Sequence, residues 1–105
     1  MKDYRIAQVD DVIHGRVRLG IMAYLSAQGR ADFTELKKAL AVSDGALSIH
    51  LHKLAEAGHV AMRKSFVAGK PRTRVSLTDS GRDAYGTYLD VLADLVGLKP
   101  ESSRK

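Results

Sequence analysis

Four histidines, His14, His50, His52 and His59, are the side chains in this sequence best suited to move a proton or hold a metal near neutral pH. His50 and His52 stand two apart, in a stretch where Leu47, Leu51 and Leu54 recur at helical spacing. Two positions apart on a helix means different faces, so the pair does not converge on one substrate or ion. No HExxH, GxSxG, phosphate-binding loop or paired-carboxylate pattern accompanies them. The absence of cysteine removes thiolate nucleophiles, zinc ribbons and disulfides. What remains for a metal is an N/O set built on His14 beside Asp10 and Asp11, a weak constellation. The expectation is a protein that is not an enzyme, with no catalytic residues, no metal ligands and no cofactor.

A different chemistry is written in "VSDGALSIHLHKLAEAGHV", Val42 to Val60. Between its leucines stand Gly45, Ala46, Ser48, Ile49, His50, His52 and Lys53, where a surface helix ordinarily carries glutamate and lysine. Small residues near the helix start permit close approach, Ser48 can hydrogen-bond a base edge or a phosphate, and His52 and Lys53 reach outward one turn later. Such a face suits the major groove of duplex DNA. Packing against another protein helix is the alternative reading of the same small residues. Further on, no acidic residue occurs between Glu56 and Asp79, while Arg63, Lys64, Lys70, Arg72 and Arg74 are all cationic. A basic segment of that kind suits the sugar-phosphate backbone or the minor groove.

These residues need elements to hold them. "GRVRLGIMAYLSAQG" places Val17, Leu19, Ile21, Met22 and Leu25 in an apolar stripe closed by Gly29. "ADFTELKKALAV" reads as a short helix capped by Asp32 or Thr34, with Phe33 and Leu36 inward. Ser43 opens the next helix as N-cap and Gly58 closes it. The period then drops to two: "HVAMRKSF" and "RVSL" predict a hairpin around a turn at "AGKPRT". Thr78 caps a last helix carrying Tyr85, Tyr88, Leu89, Leu92 and Leu95 on one side. The opening residues, with Ile6, Val9, Val12 and Ile13, read as an arm ending in a short helix. The class is therefore mainly α with a small β-hairpin (α+β). It is one domain over residues 1–97, followed by a flexible tail over 98–105.

The formal net charge of +5 on 105 residues favours a polyanionic partner. The apolar share of 45% is that of a folded domain, and the charged start lacks a signal peptide's apolar core. With no membrane-length apolar run either, the sequence reads as a cytoplasmic protein without a membrane partner. The apolar stripe of the last helix exceeds what a small domain needs to cover, which points to a self-association surface. An arm folding over it within one chain is the alternative.

Across Val12 to Val96 the sequence resembles the single-domain winged helix-turn-helix transcriptional regulators of the MarR and ArsR groups. The likeness is carried by "VIHGRVRLGIMAYL", "TELKKALAVSDGALSIHLHKLAEAGHV" and "KSFVAGKPRTRVSLTDSGRDAYGTYL". It implies a helix-turn-helix over about 33–57, a wing over about 59–77 and a dimerisation helix over about 79–97. It also implies a homodimer that binds a pseudo-palindromic operator, usually as a repressor released by a signal. Ser43, Gly45, Ser48, Ile49, His52 and Lys53 then belong to the recognition helix, and Thr34, Lys64, Lys70, Arg72 and Arg74 to the wing and backbone contacts. Ile49 stands where many relatives carry a polar or basic residue, and either meets a thymine methyl or turns inward. Ile6, Val9, Tyr85, Tyr88, Leu89, Leu92 and Leu95 would form the dimer interface. Tyr24, Tyr85 and Tyr88 are candidates to line a small-molecule effector pocket there. The rival readings are a winged-helix protein-interaction or architectural module, and a metal-sensing regulator with N/O ligands.

Overall fold

The computed structural model describes residues 6–98. The first five residues of the expected arm, and the expected tail beyond residue 98, lie outside the described residues.

Local chemistry sets the helix ends. α1 (Arg16–Gln28) buries Ile21, Met22 and Leu25, one turn of spacing that turns a single stripe inward. α2 (Phe33–Leu40) starts at Asp32, whose backbone N–H donates to the Glu35 carboxylate at 3.3 Å. α3 (Asp44–Glu56) starts at Ser43, whose hydroxyl accepts from the Ala46 N–H at 3.1 Å. α4 (Asp79–Leu95) starts at Thr78, whose Oγ1 accepts from the Gly81 N–H at 2.8 Å. The Ser43 and Thr78 caps are those the sequence predicts. α3 ends as expected at Gly58: its N–H bonds the Ala55 carbonyl and that of His59 bonds Leu54, with Gly58 at φ 82°.

The sheet holds one strand more than the sequence reading expects. β1 (Arg30–Asp32) pairs antiparallel with β3 (Lys70–Leu77), which also pairs with β2 (Val60–Val67), giving the order β1-β3-β2. Arg30 lies opposite Ser76 and Asp32 opposite Arg74. The hairpin turn is tighter than "AGKPRT" suggested. Only Ala68 and Gly69 form it, at φ 53° and 78°, and Pro71 falls inside β3 opposite Phe66. Positive φ at both turn residues matches the right-handed twist of the strands. Proline is tolerated there because β3 at Pro71 has a partner on one side only.

All four helices and the sheet meet in one core. Ile13, Ile21, Met22, Leu25, Leu36, Leu47, Leu51, Leu54, Val75 and Tyr88 are its fully buried side chains. Tyr88 corrects the reading of α4 as a purely outward stripe: it is 1% exposed within the single chain, so it belongs to the core rather than to a dimer surface. The cause is the segment before α1. Ile13 is buried in the same cluster, and His14 Nδ1 lies 2.9 Å from the Tyr88 hydroxyl. That segment is not the expected short α-helix either. It is a three-residue 3-10 turn, Ile6–Gln8, followed by a turn in which the Asp10 carboxylate accepts from the Val12 and Ile13 amides. Val9, Tyr85 and Leu92 are half-buried against the core, Leu95 is half-buried, and Leu89 and Ile6 are exposed.

One joint gathers the ends of three elements. Thr78 Oγ1 donates to the Gly58 carbonyl, Ser80 donates to the same oxygen at 3.0 Å, and the Thr78 N–H donates to His59 at 3.1 Å. A Cβ on Gly81 would stand 1.9 Å from the His59 carbonyl oxygen, so only glycine fits here. The end of α3, both feet of the hairpin and the start of α4 are fixed at this point.

Candidate nucleic-acid interface

α3 presents two faces with different employment. Leu47, Leu51 and Leu54 are buried. Gly45, Ile49, His52 and Lys53 are exposed on the opposite side, with Ser48 half-buried among them. Positions 45, 48, 49 and 52 follow the three-and-four spacing of a single helix face. Ile49 is 59% exposed, so of its two sequence alternatives the inward turn is excluded. Ser43 is exposed but its hydroxyl is engaged as the cap. His52 Nδ1 lies 3.1 Å from the Ser48 carbonyl, which can only accept. Nδ1 therefore carries the proton in the neutral ring, and Nε2 faces outward as an acceptor. Thr34 is exposed at the start of α2.

His50 has another task. Its Nδ1 accepts from Arg18 Nη1 at 2.9 Å, while Arg18 Nε donates to the Val12 carbonyl. The guanidinium thus ties α3 to the segment before α1. Burial first, then the Arg18 and Lys53 cations, hold His50 below its ordinary value of 6.5. The remaining histidines have separate partners. His59 Nε2 lies 3.6 Å from the Asp10 carboxylate, and His14 meets Tyr88. Among the described residues no cluster of three or more His, Asp or Glu side chains could hold a metal ion.

The hairpin divides the expected wing cations between its faces. Strand alternation and register put Arg63, Lys70, Arg72 and Arg74 on the outer face, and Lys64 on the face that continues from the core. Asp32 of β1 lies among the arginines, 3.6 Å from Arg72 Nε and 3.5 Å from Arg74 Nε. All three side chains are partly exposed, so the pairing orients the arginines more than it stabilises the fold. The sequence reading missed this role, taking Asp32 only as a helix cap. It also missed Arg18, whose partners lie on two separate segments, and Phe66, a lone aromatic in a cationic hairpin.

Two of the three tyrosines expected at an effector pocket between copies are engaged within the chain. The Tyr24 hydroxyl donates to Glu35 at 2.6 Å across α1 and α2, while Tyr88 lies in the core. Among the described residues no helix is long and apolar enough to cross a membrane.

Comparison with known proteins agrees with this geometry. The chain is 36% identical over 78 residues to an uncharacterised protein of Methanocaldococcus jannaschii, an alignment covering 74% of this chain and 85% of that one. It superposes on the structure of a transcriptional regulator homologue from Pyrococcus horikoshii with a TM-score of 0.76 and 33% identity, covering 85% and 89% of the two chains. The fold is shared more distantly with NadR, solved in complex with 4-hydroxyphenylacetate, at a TM-score of 0.62 and 19% identity, covering 88% of this chain and 72% of that one. The family model for the winged helix DNA-binding domain matches residues 17–96. With α3 capped and outward, and a basic hairpin beside it, this chain belongs to the winged helix DNA-binding family.

Proposed function

We propose that the protein is a homodimeric, sequence-specific transcriptional repressor of the MarR type, which binds a pseudo-palindromic operator. The observation that carries this reading is α3. One face of the helix is locked by three buried leucines, and the other offers Gly45, Ser48, Ile49 and His52 without a covering element. Rigid support behind a slim, hydrogen-bonding surface is what insertion into the major groove requires. Ser48 and His52 contact base edges, Ile49 meets a thymine methyl, and Lys53, Thr34, Lys64, Lys70, Arg72 and Arg74 contact phosphates. Two copies joined through α4 present two such helices about one DNA turn, roughly 34–36 Å, apart. Ile6 and Leu89 are the exposed apolar residues of this interface, with Val9, Tyr85, Leu92 and Leu95 at its half-buried margin. Repression follows from occupancy, since a dimer spanning both half-sites excludes other proteins from that stretch.

Release by a small effector belongs to the same proposal. The complex of NadR with 4-hydroxyphenylacetate supports it by likeness of fold alone. In this chain such a site forms between copies, around Tyr85, because Tyr24 and Tyr88 are already engaged.

The test is fluorescence anisotropy with the duplex upstream of the protein's own gene, against random duplex, at two salt concentrations. Affinity should fall by about 10³–10⁵ between 50 and 200 mM salt for on the order of 6–10 phosphate contacts. Lys70→Ala should weaken all sequences alike, whereas Ser48→Ala should change sequence preference. Binding no better than to random duplex would replace this reading with an architectural or protein-interaction role.

A further inference from the structure

The outer half of the hairpin carries an aromatic side chain that nothing in the domain covers. Phe66 is 75% exposed, and Val67 beside it is exposed as well. Strand alternation puts Phe66 on the same face as Val60 and Met62, and the register sets it opposite Pro71. At Val60 and Met62 that face packs into the core. Four residues beyond Met62 it has left the domain. β1 pairs with β3 only from Arg74 to Ser76, so outside Arg74 the hairpin is a two-stranded ribbon.

The distribution of charge along this ribbon is ordered. Its end, Phe66 to Gly69 together with Pro71, is apolar apart from Lys70. Arg63 and Lys64 flank it on β2, and Arg72 and Arg74 on β3. An apolar end between cationic shafts is a poor match for a protein surface of either kind, but it fits a polyanion with an apolar interior. The base stack between two phosphate backbones is such a target. Self-association through α4 does not account for it: α4 leaves from Thr78 at the foot of the hairpin, and eight-residue strands carry the tip roughly 23 Å away.

We propose that Phe66 is a wedge that enters the minor groove beside each half-site and partly unstacks one base step. This rests on the DNA-binding reading above. The minor groove of B-DNA is only about 6 Å wide, too narrow for a two-stranded ribbon but open to one projecting ring. Lys64 and Lys70 then rest on the phosphates to either side of the entry point. Insertion removes the phenyl surface from water and sets it against a base face. The step opened in this way is one that deforms easily, TA or CA/TG. Phe66 therefore selects sequence by the flexibility of a step outside the reach of α3, rather than by hydrogen bonds to base edges.

The test uses the full chain and an operator duplex selected from a random pool, with 2-aminopurine placed in turn at each step flanking the half-sites. Wild-type protein should raise fluorescence at one step per half-site. Phe66→Ala should abolish that rise and lose roughly 5- to 150-fold in affinity, the scale of one aromatic–base stack. Circular dichroism should show the variant folded, since the side chain is exposed. A bound operator with no fluorescence change at any step, or a rise that survives in Phe66→Ala, overturns the wedge and leaves DNA recognition standing. Failure of the wild-type chain to bind any selected duplex overturns both.

Discussion

In the proposed complex α3 and the outer hairpin both offer groups to DNA, yet they are built to opposite tolerances. α3 is capped at Ser43, closed at Gly58, anchored by Leu47, Leu51 and Leu54, and strapped through His50 to Arg18. The hairpin beyond Arg74 has no third strand and no buried side chain. A two-stranded ribbon of this kind is marginal by itself. Hydrogen bonds to base edges require donors and acceptors fixed within a fraction of an ångström, so the reader is rigid. A contact that follows the backbone gains from a segment that adjusts to it, so the wing is not. The difference teaches that this small core is spent on one element and withheld from the other.

The comparison can be broken most severely at the joint that serves both. Gly81→Ala should destabilise the chain by on the order of 4 kcal/mol or more, because its Cβ collides with backbone that cannot retreat. Denaturant unfolding checks this, and a near-neutral result would mean that α4 is free to shift relative to the wing. Next in size comes the direct contrast. Leu51→Ala should cost about 2–5 kcal/mol and Phe66→Ala no more than about 0.5 kcal/mol in the same assay. Similar losses for the two would erase the distinction between reader and wing. Ser43→Ala removes the cap of α3 and should cost about 1 kcal/mol, with Ser43→Asn restoring most of it.

The smallest effect is a dependence on pH. His50 binds a proton less readily when folded than when unfolded, because of burial and the neighbouring Arg18 and Lys53. Between its lowered folded value and 6.5 the unfolded chain holds more protons, so stability rises with pH across that window. The contribution is complete above 6.5 and is lost as pH falls toward the folded value. Unfolding midpoints from about pH 7.5 to about pH 5 should show the slope, and His50→Gln should flatten it. An unchanged slope in the variant would remove His50 from the account of how α3 is held.

Much of this was legible in the sequence, for identifiable reasons. The caps at Ser43 and Thr78 and the glycine at position 58 are local signals, made by groups three to five residues apart. The outward chemistry of α3 was legible because its residue types are wrong for an ordinary solvated face. β1 was not, because three residues carry no period and Arg30–Asp32 is a strand only by virtue of β3 beside it. Tyr88 was misassigned for a related reason. A stripe along a helix does not say how much of it the same chain covers, and the cover comes from Ile13 and His14, some seventy positions earlier. The role of Asp32 among the hairpin arginines, and that of Arg18 behind α3, depend on pairings that no spacing encodes.

The joint at Gly58, His59, Thr78 and Gly81 has a consequence for how such a protein can diverge. Because both feet of the hairpin are tied at that point and β1 pairs with β3 only from Arg74 to Ser76, the ribbon outside Arg74 is an insertion whose length the helices do not feel. Adding or removing two residues on each strand would keep every side chain on its face and move the tip by about 6.6 Å. One residue on each strand would instead turn every side chain between the insertion and the tip to the opposite face, Phe66 included. Descendants of this chain can therefore acquire a longer or shorter reach in discrete steps, while α3 stays as it is.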